Sequence, residues 1–102
     1  MIVRTWSGQA THANADAYFH HVTETVFPSL KALAGHRGAW LLRCEVDGRT
    51  EFLALTLWES LEAIEAFAGR DIDTAIVEPE ARAVLAEFDE FARHYEVAFR
   101  TP

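Results

Sequence analysis

Cysteine occurs once, at Cys44, so no disulfide can form within the chain and nothing argues for an oxidising compartment. The nine Lys and Arg residues are scattered and form no basic run, and the formal net charge is −7. That balance weighs against nucleic acid or an anionic membrane surface as a partner. No apolar run reaches membrane-spanning length, and no secretory leader pattern opens the chain. The expected setting is therefore reducing and cytoplasmic. Linkers, low-complexity segments and internal repeats at the residue level are also missing, so residues 1–102 read as one domain.

What is present is apolar surface. Half of the residues are hydrophobic and 12% are aromatic, generous for a chain near the size at which a single core suffices. The richest stretch is FLALTLWESLEAIEAFAGRD, Phe52 to Asp71. Phe52 to Trp58 contains no Gly, Pro or charge and predicts a strand buried on both faces. Ser60 offers a cap to the next turn, with Glu59 and Glu62 suited to the positive end of a helix dipole. Leu61, Ile64, Phe67 and Ala68 recur at helical spacing, and Gly69 is a natural stop. A strand, a large aromatic at its end and a helix folding back make one wall of a pocket.

Elsewhere, Met1 to Ser7 predicts a first strand and Gly8 to Thr11 a turn. Thr11 or Asn14 can cap a helix running to about Ala34, with Phe19, Val22, Val26, Leu30 and Leu33 on one face. Pro28 removes a helical donor and predicts a kink or break near Phe27. Trp40 to Val46 reads as a second strand, and Asp47-Gly48 signals a hairpin into the third. Pro79 suits the first position of another helix whose Val84, Leu85 and Phe88 point inward. His94 to Arg100 reads as the last strand.

Strand, helix, strand, strand, helix, strand is the ferredoxin-like order, a four-stranded antiparallel sheet with helices on one face. Leu53, Leu55 and Leu57 alternate with Phe52, Ala54, Thr56 and Trp58, so the face turned away from the helices is apolar as well. A second copy of the sheet is the simplest cover, which predicts a homodimer.

Five histidines carry the candidate proton chemistry. His20 and His21 flank the first helix stripe, where a solvated pair with Glu24 competes with a role for His21 in contacting a ligand. His12 falls in a loop, and His36 in the GHRG turn reads as a local hydrogen-bonding residue. His94 starts a strand expected to be covered; it is either a base towards an acidic phenol or enol, or a core histidine bonded to a carboxylate such as Glu96. The set has no metal-ligand spacing. Cys44 reads as a small buried hydrophobe, and Glu78, Glu80, Glu87, Asp89 and Glu90 as solvated helix faces.

The Trp58-Glu59-Ser60 junction, the AIEAFAGRDI that follows, and His94-Tyr95-Glu96-Val97 resemble the antibiotic-biosynthesis monooxygenase (ABM) family from Ile2 to Val97. The resemblance implies a dimeric α+β barrel of ferredoxin-like protomers with a ligand between sheet and helices. It also implies monooxygenase chemistry, on aromatic polyketides without a cofactor or on haem. Trp58 matches the tryptophan of the polyketide-oxidising members, but Ala54, Ile64 and Glu78 stand where those carry Asn, Tyr and Arg. Against the haem-degrading members, Phe67 replaces a tryptophan, Val77 an iron-binding histidine and Thr5 a first-strand asparagine. The implied function is cofactor-independent oxidation of a small aromatic or quinone-like compound. His94 would be the base, and Thr5, His21, Trp58 and Phe67 would contact the substrate. The rival reading is a non-catalytic dimer that binds a small apolar ligand or serves as an accessory or stress protein.

Overall fold

The computed structural model describes Met1 to Pro102. Ten residues of alternating character form β1, Ile2–Thr11, and helix α1, His12–His21, follows without a loop. The chain then widens into a π-helical turn over Val22–Val26 before α2, Phe27–Leu30. Pro28 accounts for the widening: it has no N–H to donate and its ring crowds the carbonyl four residues back. The backbone answers by bonding the Phe27 N–H to the Val22 carbonyl, one residue further back than in an α-helix. The expected break near Phe27 is thus a change of helical register.

Strands β2, His36–Val46, and β3, Arg49–Trp58, are joined by Asp47-Gly48, both with positive φ (51° and 78°) as a tight hairpin requires. Helix α3, Leu61–Ala68, is capped by Ser60, whose Oγ accepts from the Ala63 N–H at 3.2 Å, and ends at Gly69 with φ 81°. Helix α4, Pro79–Val84, begins on its proline. Two short strands complete the sheet, β4, Glu87–Phe88, and β5, Arg93–Glu96.

The order β2-β3-β1, with β4 and β5 both antiparallel to β1, is that of a ferredoxin-like α+β domain whose edge strand is split in two. Several boundaries differ from expectation. Strand β2 begins at His36 and not at Trp40, so the GHRG segment joins the sheet through an irregularity between His36 and Gly38 instead of forming a turn before it. Strand β1 runs through the predicted turn to Thr11, because Gly8 pairs with Phe52 on one side and Phe88 on the other. Helix α4 stops at Val84, so Phe88 belongs to a strand and packs against Trp6, while Val84 and Leu85 do reach the core. The last strand ends at Glu96.

Cross-strand register sorts the side chains. Arg4, Trp6, Gly8 and Ala10 lie opposite Thr56, Ala54, Phe52 and Thr50 on the helix-covered face. The buried residues form two clusters there, one around Tyr18, Val22 and Phe52 and one around Leu30, Trp58 and Ile64. The opposite face carries Thr5, Leu53 and Leu55 with Trp40, Leu42 and Tyr95, the last three about half exposed (49%, 46% and 50%). On this face of β3 Leu57 is buried and Leu53 and Leu55 are partly exposed, so within the protomer the strand is fully covered only on its helix side. Cys44 sits on the open face and is exposed, a correction to its reading as a buried hydrophobe. No helix is long and apolar enough to cross a membrane.

Candidate functional site

A cavity of about 80 Å³ lies between the sheet and the helices, lined by sixteen residues of which twelve are hydrophobic. Its floor is the helix face of the central strands, Arg4 and Trp6 from β1 and Ala54 and Thr56 from β3. Tyr18, His21, Val22 and Val26 come from α1 and the π turn, Phe27 and Leu30 from α2, and Phe67 from α3. The segment Ala75 to Glu78 and Ala81 close the remaining side. The volume is about half that of the engineered apolar cavity of ~150 Å³ that holds benzene, and far below the ~300–1,000 Å³ of sites for drug-sized ligands. The half-exposed Ile76 belongs to the side closed by Ala75 to Glu78.

The polar groups are few. Arg4 is 5% exposed. Its Nη1 donates to the Ile72 carbonyl and to His94 Nε2 (2.9 Å), and its Nη2 to the Thr74 carbonyl (3.3 Å). The guanidinium also lies over the Phe67 ring at 5.7 Å. Burial lowers the Arg4 pKa, and Asp73 opposes that shift. Burial alone raises the Tyr18 phenol well above its ordinary range. The Nε2 of His21 is buried and has no hydrogen-bond partner.

An arginine has no lone pair to accept with, so His94 Nε2 must be the acceptor of their bond and the proton sits on Nδ1. That Nδ1 faces Asp73 Oδ1 at 3.3 Å. Burial first, and the Arg4 charge second, lower the His94 pKa; Asp73 acts against both. Asp73, His94 and Arg4 thus form a relay that tethers the segment between α3 and α4 to the sheet, and this relay, not Glu96, partners His94.

Of the residues singled out in the sequence, His21 and Phe67 line the cavity together. Trp58 is fully buried behind it, donating from Nε1 to Thr56 Oγ1 at 2.9 Å and stacked on Phe67 at 6.2 Å, so it supports two lining residues. His94 touches the site through Arg4. Thr5 faces the other side of the sheet, in an open depression with Leu53, Phe91 and Tyr95. Its neighbour Trp6 takes the cavity side, since side chains alternate along a strand. Glu78 is half-buried and lines the cavity, in place of the solvated face expected.

Arg4, Trp6 and Tyr18 line the cavity although no motif in the sequence marks them. Arg4 and Trp6 share one face of a strand at spacing two, and a charge on a core-facing position is itself a signal. Tyr18 extends the helix stripe one turn before Val22.

The chain is an α+β protein of ferredoxin-like topology with a small apolar cavity under its helices. Solved structures of similar fold extend over nearly its whole length. A candidate antibiotic biosynthesis monooxygenase from Bacillus cereus superposes with a TM-score of 0.67 at 17% identity, covering 99% of this chain and 96% of that one. The heme-degrader MhuD from Mycobacterium tuberculosis, with two hemes in its active site, gives 0.64 at 21% identity and full coverage of both chains. A further candidate antibiotic biosynthesis monooxygenase, from Chloroflexus aurantiacus, gives 0.64 at 15% identity, covering 99% and 96%. The sequence itself matches no family model and no curated protein. At these identities the likeness establishes the fold.

Proposed function

We propose that this protein is a cofactor-independent monooxygenase that oxidises a small, electron-rich aromatic compound, a phenol or quinol, with molecular oxygen. The observation that carries the reading is the apolar cavity with an unpartnered imidazole nitrogen, His21 Nε2, on its wall. The monooxygenase names among the structural neighbours support it at the level of fold.

In this reading Nε2 of His21 takes the phenolic proton. The phenolate passes one electron to oxygen, and the resulting radical and superoxide combine at a ring carbon. The peroxide formed takes the proton back from His21 Nε2, and the hydroperoxide then loses water as its ring C–H proton departs, so one oxygen atom stays in the quinone product and the other leaves in water. Trp6 and Phe67 hold the ring, and Arg4 adds positive charge to the floor of the cavity in which the phenolate forms. The proton acceptor is assigned to His21 because Nε2 of His94 is already engaged by Arg4. His94 serves as the residue that orients Arg4, and Trp58 as the support of Phe67. Thr5 enters only through the sheet face on which it lies.

We place a second copy of the chain on that face, making the functional unit a homodimer, and the free Cys44 thiol fits a cytoplasmic setting.

Oxygen-electrode assays with a panel of phenols and quinols test the activity. Replacing His21 by Gln is expected to lower the rate by about a hundredfold or more, the usual contribution of a general base, with the melting temperature nearly unchanged. Undiminished turnover in that variant removes His21 as the base. Ala54, Ile64 and Glu78, which replace the residues of the polyketide-oxidising proteins, favour the second reading, a non-catalytic binder. Saturable binding without oxygen uptake across the panel would establish it.

A further inference from the structure

Buried cations in folded proteins are normally matched by a carboxylate, because burying an uncompensated charge is costly. Arg4 departs from this pattern. It is 5% exposed, and no carboxylate oxygen lies within 4 Å of its guanidinium. All three of its partners are neutral, two backbone carbonyls and an imidazole. The nearest link to an anion runs through His94 to Asp73, whose side chain is 73% exposed and therefore screened by water.

A guanidinium has five N–H groups. Nη1 spends both of its own and Nη2 one, which leaves Nε–H and one N–H of Nη2. Nε and Nη2 flank one edge of the group, the edge from which arginine grips a carboxylate with two parallel bonds. The Phe67 ring and the two carbonyls fix the plane of the guanidinium, and Arg4 is part of the cavity floor.

We propose that the ligand of this cavity is a single-ring aromatic acid, whose carboxylate supplies the countercharge that the protein withholds from Arg4. The apolar lining takes the ring, and the unpartnered Nε2 of His21 meets a hydroxyl on it. Glu78, the one carboxylate on the cavity wall, opposes a second negative charge and restricts the class to monoacids. This rests on the function proposed above only in placing the ligand in the same cavity.

Calorimetric titration of the intact chain at pH 7.5 compares two probes of equal size, 2,5-dihydroxybenzoate and the neutral 2,5-dihydroxybenzamide. The acid is expected to bind at least tenfold more tightly. Arg4→Gln is expected to abolish that preference and Arg4→Lys to keep part of it. If the Gln variant fails to fold, the comparison on the wild-type chain still decides. Equal affinity, tighter binding of the amide, or no saturable binding of either probe overturns the proposal. Acid binding without oxygen consumption removes the oxidase reading and leaves this one standing, whereas turnover of neutral quinols with no preference for the acid does the reverse.

Discussion

Arg4, Asp73 and His94 come from β1, from the segment between α3 and α4, and from β5, so no local pattern in the chain announces their contact. His94 is legible as a histidine in need of a partner; that the partner is a buried arginine follows only from the Arg4–His94 pairing of β1 with β5. The pairing has a consequence for stability. In the folded protein the His94 pKa lies below its ordinary 6.5, chiefly through burial and then through Arg4, and burial lowers that of His36 as well. The unfolded chain, with its histidines near 6.5, then binds protons that the folded chain refuses. Stability is fully present above about pH 6.5 and is lost as the pH falls from there through the depressed folded values. Melting temperatures recorded from pH 8 to 5 are expected to hold level and then decline, with a shallower decline in His94→Gln. A rise on acidification would mean that His94 is protonated in the fold and paired with Asp73.

Among the elements, those governed by adjacent residues could be read directly. The Asp47-Gly48 hairpin, the Ser60 cap, the Gly69 stop and the Pro79 helix start each depend on a backbone preference of the residue itself. Gly8 misled because its role is set by contact at a distance. A Cβ added there would lie 2.9 Å from the Trp6 ring and 3.3 Å from Leu85, so the position is glycine to admit the indole against the strand, and no turn forms. Gly8→Ala is therefore expected to destabilise the protein by roughly 1–3 kcal/mol, the usual cost of overpacking, measured by denaturant unfolding. A gain in stability, the ordinary result of replacing glycine within an uncrowded strand, would show that Trp6 is free to move aside. Because Trp6 lines the cavity, the same variant tests whether the cavity wall is rigid.

At the scale of the whole molecule, the alternation of β3 foretold that both sheet faces would be apolar, and the helices cover one of them. Leu55 lies on the other, with Thr5 as its neighbour on β1 and Trp40 on β2. Its side chain points away from Trp58, Ile64 and the rest of the core, so a charge placed there meets either solvent or a partner, never the helices. If two sheets pack face to face, light scattering at micromolar concentration is expected to give twice the 11.5 kDa of one chain. Leu55→Asp would then bury two unpaired carboxylates across the twofold axis, and the mass is expected to fall to that of one chain while circular dichroism retains its strand and helix content. Loss of the secondary structure in that variant would mean that the face is part of the protomer's own core. A wild-type mass of one chain would mean that half-exposed Trp40, Leu42 and Tyr95 remain in water, and the barrel arrangement would have to be abandoned.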